Sequence, residues 1–240
     1  MLCKGYGQRS PKKTLVSANA LRTECDGTFH IFFSMCEWGI QHPATWAKPV
    51  GNSWRTTGDI QKNWESFTSI LDQNDRWHEY AGPGGWNDPD MLQVSTSTSS
   101  TSTSNRNNGD DLSLSLTIPE QRAHFTMWCL IKAPLLLAND LRNIPPEIME
   151  IIFNVEVIAL NQDPLGVQGY KRWSSKSSSI SGDGDNDGDN DGDNDGSIEV
   201  WAGDLSGGDV ALSFVQSVGE DANDHGEIQG HRYFWYWYWY

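Results

Sequence analysis

The 240-residue sequence is poor in cysteine and has no long apolar run. Its four cysteines, Cys3, Cys25, Cys36 and Cys129, form no CxxC pair, which argues against both a disulfide scaffold and a zinc site. Cys36 and Cys129 lie within apolar runs, so we expect both to be small buried hydrophobic residues. No segment is long enough to span a membrane, and the first residues lack the apolar core of a signal peptide. The sequence therefore predicts a soluble protein with no membrane partner.

Basic residues form no stripe or block, so nucleic acid is not an expected partner. The net charge is −15, but seven of the 32 acidic residues are the alternate aspartates from Asp183 to Asp195, and without them it is −8. This repeat begins like an EF-hand loop, yet its twelfth position is Asn194, Ile198 or Ala202, never the required glutamate. We expect a solvated linker, with an acidic calcium-binding protein as the alternative. No metal or other cofactor is expected.

Two other segments have an unusual composition. A serine/threonine tract, Ser95 to Ser104, opens an insertion over residues 95–116 that is too polar to bury and predicts a disordered loop. The C-terminal sequence YFWYWYWY alternates aromatic residues and contains no charged or small polar residue, which is typical of an aggregation-prone tail.

From Ile31 to about residue 160, short apolar runs that end in carboxylates alternate with helical patterns. The runs are FSMCE, SWRTTGD, WNDPD and LLLAND, and helical spacing is clearest in residues 60–80. This alternation predicts an α/β fold with a parallel sheet. A complete (β/α)8 TIM barrel takes about 250 residues, so this stretch predicts a partial barrel of about four β/α units. In such barrels the carboxyl ends of the strands carry the chemistry.

The residues after the aspartate repeat predict a second part made of β-structure. SIEVWAGDLSGGDVALSFV contains two alternating runs around a Gly-Gly turn, which is typical of a β-hairpin. The predicted organisation is a poorly patterned segment at residues 1–28, a partial β/α barrel at 29–173, an acidic linker at 174–197 and a fragment of an antiparallel β domain at 198–240.

The stretch GNSWRTTGDIQKNW places Arg55 and Asp59 four residues apart between two tryptophans. One interpretation is an ordinary ion pair on the protein surface. The other is a substrate clamp beside a proton donor, because a guanidinium offers directional donors to hydroxyl groups and also tunes nearby carboxyl groups. The spacing alone leaves both interpretations open.

Long stretches of the sequence resemble the plant α-galactosidases, which belong to the glycoside hydrolase family that also contains the α-N-acetylgalactosaminidases. The matching stretches are CEWG, VGNSWRTTGDI, YAGPGGWNDPDML, RAHFTMWCLIKAPLLLANDLRNIP and NVEVIALNQDPLGVQG. They fall within residues 29–94 and 117–173, and a weaker match covers 198–214. The resemblance implies the second half of a β/α barrel followed by the start of an antiparallel β domain.

The resemblance also implies roles for individual residues. Asp59, in TTGDI, corresponds to the acid/base of the family. The residues that it implies for substrate binding are Cys36, Glu37, Trp38, Arg55, Asp90 and Met91. Core packing is the alternative role for CEWG, and we expect Asp88 to brace the corner that NDPD forms.

The family acts with retention of configuration, which requires a second carboxylate as the nucleophile. The family carries that nucleophile in a K-[YF]-D-[NG]-C motif, which these 240 residues do not contain. One hypothesis is therefore a truncated α-galactosidase-type hydrolase without its nucleophile, related to enzymes that remove terminal α-galactose from raffinose-type oligosaccharides or galactomannan. The other is a non-catalytic half-barrel that binds galactose, or the product of a decayed gene.

Two further expectations concern the surroundings of the chain. The edge strands of a half-barrel are open to pairing, which favours self-association. No export signal is visible in the sequence, whereas the resemblance implies a secreted, cell-wall or vacuolar protein.

Overall fold

The computed structural model describes residues 32–94, 116–175 and 197–216. The serine/threonine tract, the aspartate repeat and the aromatic tail lie outside the described residues, so the expectations about them stay predictions. The described ranges form a parallel sheet, α-helices and an antiparallel sheet. None of the helices in these ranges is long and apolar enough to cross a membrane.

The parallel sheet has three short strands in this order: β1 (Ser34–Met35), β2 (Ser53–Arg55) and β3 (Trp86–Asp88). Arg55 and Asp88, which end β2 and β3, are partners in the strand register. A parallel bridge between Leu92 and Leu137 lies further along the chain. The predicted parallel sheet is confirmed. Three of the four carboxylate-terminated runs supply its strands, and the fourth, LLLAND, supplies the bridge.

The described helices are α1 (Trp64–Asp75), α2 (Ile118–Leu130), α3 (Pro146–Ile152) and α4 (Val155–Asn161). Single 3-10 turns lie at Pro43–Thr45, His78–Tyr80, Leu141–Asn143 and Ser206–Gly208.

Polar side chains fix where these helices begin. The Asn63 side chain accepts a hydrogen bond from the Ser66 N–H at 2.7 Å, so α1 begins at Trp64 rather than at the start of the helical pattern. Thr117 and Glu120 form a capping box at the start of α2, in which the Thr117 N–H donates to Glu120 Oε2 at 2.6 Å.

The larger of the two described apolar cores is centred on fully buried aromatic rings. Phe67 of α1 and Trp128 of α2 stack with their ring centroids 5.7 Å apart. The His124 ring stacks on both, at 5.1 Å from Phe67 and 4.1 Å from Trp128. Complete burial lowers the pKa of His124 to about 3. Trp201, from the antiparallel sheet, belongs to the same core, so the two parts of the chain are packed together.

The antiparallel sheet contains β4 (Tyr170–Ser174), β5 (Ile198–Asp204) and β6 (Val210–Gln216) in sequence order. The predicted hairpin is confirmed as β5 and β6, which are joined through Gly207 and Gly208, both at positive φ. Strand β4, which lies in the segment predicted as barrel, pairs with β5, which lies in the predicted β domain, and the predicted domain bounds stay a prediction. Strand pairing across the aspartate repeat is a long-range contact that local composition does not reveal.

Lys171 of β4 ties the second sheet to the first part of the chain. Its ammonium group is ion-paired with Asp72 of α1 and, at 2.7 Å, with Glu199 of β5. Its backbone N–H donates to Asp75 Oδ1 at 3.0 Å. The antiparallel sheet is therefore held to α1 by charge as well as by the shared core.

We expect Phe67→Ala to lower the free energy of unfolding by about 3–5 kcal/mol, because it leaves a cavity beside Trp128 and His124. Urea denaturation measures the change. Glu65→Ala, at an exposed position of the same helix, is the matched control. A loss for Phe67→Ala no larger than the control's would contradict the central place of this ring in the core.

We expect His124 to make the protein sensitive to acid. The folded-state pKa of about 3 lies below the ordinary value of 6.5, so the stability from keeping the ring neutral is complete above pH 6.5 and declines as the pH falls toward 3. Between pH 6 and 4.5 the unfolding free energy of the wild type should fall by roughly 1 kcal/mol per pH unit more than that of His124→Leu. Urea denaturation across this range tests it, and parallel curves for the two proteins would contradict it.

Candidate active site

The candidate site lies at the carboxyl ends of the three parallel strands. Arg55 ends β2 and Asp88 ends β3, and their register pairing brings the two strand ends level. The segments that follow carry Asp59 and Asp90. CEWG follows β1 on the other side of β2. Side chains from three separate stretches of sequence can therefore meet at one edge of the sheet.

Arg55 lies at the centre of this edge. Its side chain is 3% exposed, and its Nη2 atom lies 2.9 Å from Asp90 Oδ2 and 3.2 Å from Asp59 Oδ1. Nη2 also donates to the carbonyl oxygens of Gly58, at 2.6 Å, and Thr57, at 3.3 Å. A buried cation is tolerated only when it is paired and hydrogen-bonded. Arg55 and Asp59 do form an ion pair, but burial of the guanidinium and its second carboxylate set it apart from an ordinary surface pair.

Asp59 lies at the solvent-exposed rim of the site. Its side chain is 68% exposed, and its Oδ1 accepts hydrogen bonds from Arg55 and from the indole N–H of Trp38, both at 3.2 Å. Trp38 is 21 residues away in the sequence and comes from the segment after β1. A carboxyl group that is held in place and open to solvent can exchange a proton with a bound substrate, as general acid–base catalysis requires.

A glycine makes the contact between Trp38 and Asp59 possible. Gly39 has a φ of +75°, and a Cβ at this position would lie 2.3 Å from the carbonyl oxygen of Thr56. Its N–H donates to the carbonyl oxygen of Arg55 at 3.1 Å. Because the CEWG backbone approaches the end of β2 this closely, only glycine fits there.

Asp90 has a strained backbone. Its φ is +110°, which is rare for a residue other than glycine and costs on the order of 1–3 kcal/mol. Its Oδ2 accepts the Ile60 N–H at 2.9 Å in addition to Arg55, and its Oδ1 accepts the Met91 N–H at 2.7 Å. The buried carboxylate therefore joins the segments that follow β2 and β3.

Two residues outside the predicted site hold the Asp90 backbone. Asp88 Oδ1 accepts the Asp90 N–H at 2.9 Å, and the Trp128 indole N–H donates to the Asp90 carbonyl oxygen at 2.9 Å. Burial raises the pKa of Asp88, against the effects of the Asp90 N–H and the Arg55 charge. The sequence offers no signal for Trp128, because its place in an apolar helical pattern is fully explained by the core.

Glu37 and Met91 are half-buried and are adjacent in the sequence to Trp38 and Asp90, and Cys36 is half-buried as well. The expectation that Cys36 is a small buried hydrophobic residue is wrong, because it is disulfide-bonded. Cys129, the other described cysteine, is free. Cys129 is buried as predicted, and burial raises the pKa of its thiol to about 12. Sequence spacing does not reveal which cysteines meet in space.

The chemistry available here is that of carboxylates around one cation. In the part of the chain that the structure describes, no group of three or more His, Cys, Asp and Glu side chains is placed to hold a metal ion. The residues predicted from three motifs, namely Trp38, Arg55, Asp59 and Asp90, form one connected network. Such a network can exchange protons at Asp59 and accept hydrogen bonds from hydroxyl groups at its carboxylates.

The known proteins that are similar to this chain are glycosidases. The fold is similar to that of a glycosidase, the α-galactosidase of Saccharomyces cerevisiae, with a TM-score of 0.68 and 26% identity over 90% of this chain and 47% of that one. Alpha-galactosidase 2 of Arabidopsis thaliana is 45% identical over 205 residues, 85% of this chain and 41% of the relative. The α-galactosidase of Cyamopsis tetragonoloba is 50% identical over 182 residues, 76% of this chain and 35% of the relative.

The family described as Alpha galactosidase A matches residues 31–163. The chain belongs to the α-galactosidase family, a family of glycosidases, and the resemblance seen in its motifs is confirmed. The chain spans 35–41% of the length of the two plant relatives.

We expect strong coupling between Arg55 and Asp90. Arg55→Met leaves the Asp90 carboxylate, whose side chain is 11% exposed, without its cation, and should cost about 3–5 kcal/mol of unfolding free energy. Adding Asp90→Asn removes that uncompensated charge, so the double variant should recover at least about 1 kcal/mol relative to the sum of the single effects.

Urea denaturation of the wild type, the two single variants and the double variant completes this cycle. Asp59→Asn is the control, because its exposed side chain should contribute less than about 1 kcal/mol. Additive effects of the Arg55 and Asp90 substitutions would show that their contact contributes nothing to stability.

Proposed function

We propose that this chain supplies the acid/base and the sugar-binding side of a retaining α-galactosidase site. The observation that carries the proposal is the convergence of Trp38, Asp59 and Asp90 on the buried guanidinium of Arg55. Family membership adds the reaction class, which is removal of a terminal α-linked galactose.

Asp59 is the proposed acid/base. As an acid, it gives its proton to the glycosidic oxygen while the bond between that oxygen and the sugar C1 breaks. As a base, it takes a proton from water while that water attacks C1 of the glycosyl–enzyme intermediate and the bond between C1 and the nucleophile breaks. Two observations support this role: the carboxyl group is open to solvent, and hydrogen bonds from Arg55 and Trp38 fix its orientation.

The proposed binding side combines acceptors with an apolar face. The carboxylates of Glu37 and Asp90 would accept hydrogen bonds from sugar hydroxyls, and the partly exposed ring of Trp38 would pack on the galactose ring. Cys36 and Met91 border these groups in the sequence. Because Arg55 is 3% exposed, we propose that it acts mainly by holding Asp59 and Asp90 rather than by contacting the sugar.

No motif in the sequence supplies a candidate for the nucleophile. Retention requires two carboxyl groups about 5–5.5 Å apart, one of which attacks C1. The family's nucleophile motif does not occur in the 240 residues. We therefore propose that the chain by itself binds galactose but turns over galactosides poorly.

The proposed substrates are raffinose-type oligosaccharides and galactomannan side chains. The α-galactosidase of Saccharomyces cerevisiae has been solved with raffinose, at 26% identity to this chain. High identity to plant relatives supports the same class of sugar here, as a proposal.

Three further proposals concern architecture and surroundings. The parallel sheet is proposed to be the second half of a (β/α)8 barrel with about four units, and the antiparallel sheet the start of the C-terminal β domain. Its edges would permit self-association, which light scattering can test. A secretory location is supported by the disulfide at Cys36, because disulfides persist in oxidising compartments.

A galactose-binding protein without catalytic activity is the second candidate. The observation that favours it is the absence of the nucleophile motif. Both candidates predict galactose binding with little turnover by this chain, and they differ in whether Asp59 serves as an acid/base.

We expect the purified chain to bind galactose with a Kd in the millimolar range, and Asp90→Ala to raise that Kd at least tenfold because it removes a hydroxyl acceptor and releases Arg55. Isothermal titration calorimetry measures both. Glu150→Gln, an exposed position on α3 remote in sequence from the site, is the control and should bind like the wild type. Absence of binding by the wild type would sink the proposed function.

We expect the chain to hydrolyse an aryl α-galactoside no faster than its Asp59→Asn variant does, because an acid without a nucleophile forms no glycosyl–enzyme intermediate. Release of the aryl alcohol measures the rate. Robust turnover that Asp59→Asn abolishes would show instead that this chain contains a working nucleophile.

A further inference from the structure

We propose that Asp88 is a positioning residue of the candidate site, which fixes the backbone of Asp90 and thereby the orientation of Asp90 toward Arg55. The inference rests on the proposed function, because it concerns how the same galactose site is built.

The side chain of Asp88 is free to serve this purpose because the backbone of Asp88 is anchored separately. Its carbonyl oxygen accepts the Thr56 N–H at 3.0 Å, and Asp88 is the register partner of Arg55 in the sheet. The strand pairing of β3 therefore does not depend on the carboxyl group. The carboxyl group is buried, and its Oδ1 accepts a hydrogen bond from the Asp90 N–H at 2.9 Å.

Asp90 needs such an anchor because its φ of +110° is unfavourable for a residue with a side chain. The N–H is held by Asp88, and the carbonyl oxygen is held by the indole of Trp128. If the anchor on the N–H is lost, the peptide unit can rotate toward an ordinary conformation. The carboxylate would then turn away from Arg55 and from the Ile60 N–H, which it now meets at 2.9 Å each.

The hydrogen bonding of Asp88 also indicates that its side chain does more than fill space in the core. Its second oxygen, Oδ2, is buried without a hydrogen-bond partner among the described residues, and the same is true of Nε of Arg55. Burying a carboxyl group is unfavourable when one of its oxygens has no hydrogen-bond partner. If this side chain served only to pack the core, an apolar residue would be more stable here. Within the described ranges, the hydrogen bond that this carboxyl group makes is to the N–H of Asp90, the residue with the strained backbone.

Two substitutions separate the hydrogen bond from the charge. Asp88→Asn keeps an oxygen that can accept the Asp90 N–H, whereas Asp88→Ala removes the acceptor altogether. Hydrogen exchange, resolved at single amides by NMR, reads the result without any sugar present. We expect the Asp90 and Met91 amides to exchange at least tenfold faster in Asp88→Ala and within threefold of the wild type in Asp88→Asn. The amides of α1 should be unchanged in both variants.

The galactose Kd provides the second measurement. We expect it to rise at least tenfold in Asp88→Ala and to stay within threefold of the wild type in Asp88→Asn. Glu150→Ala, at an exposed helical position, controls for a general effect of removing a carboxylate. Rescue by asparagine separates a positioning hydrogen bond from a requirement for negative charge.

Each failure has its own signature. Unchanged exchange at Asp90 in Asp88→Ala, or equal acceleration throughout α1, would overturn the inference. If Asp88→Ala does not fold, Asp88→Asn remains decisive, because a tenfold acceleration there would also overturn it. A wild type that binds no galactose would refute the proposed function, whereas the exchange pattern would still decide whether Asp88 fixes Asp90.

Discussion

The buried guanidinium of Arg55 is the constraint on which the site depends. Burying a cation at the end of a strand is costly unless acceptors surround it. Here the acceptors are two carbonyl oxygens of the following loop and the carboxylates of Asp59 and Asp90. The same interactions that compensate for the burial of Arg55 therefore also shape the loop after β2 and connect it with the segment after β3.

The site and the core are parts of one packed structure. Trp128 stacks on Phe67 within the core, and its indole N–H reaches the carbonyl oxygen of Asp90. Helix α2 therefore carries the indole N–H that anchors the Asp90 backbone from the side of the core. The antiparallel sheet supports the same core through Trp201 and is tied to α1 by the ion pairs of Lys171. Substitutions far from Arg55 and Asp90 can thus alter the geometry of the candidate site through the position of Trp128.

The proposed function gives these contacts a chemical meaning. A retaining glycosidase needs an acid/base whose orientation is fixed while its carboxyl group stays accessible. Asp59 combines these properties, because Arg55 and Trp38 hold one oxygen while most of the side chain faces solvent. Asp90 is the opposite kind of carboxylate: it is buried, strained and bonded at both oxygens. Two aspartates near one arginine can therefore serve different purposes.

The sequence by itself determined the parallel sheet, the hairpin and the family, because apolar runs, turn glycines and long motifs are local features of the chain. It also identified Arg55, Asp59 and Asp90 as candidates, since each lies in such a motif. Only the tertiary structure decided which of these groups are buried and what holds them. The contact of Trp128 with Asp90 and the pairing of β4 with β5 join residues distant in sequence. Such contacts depend on how the elements pack, and packing is a property of the whole fold.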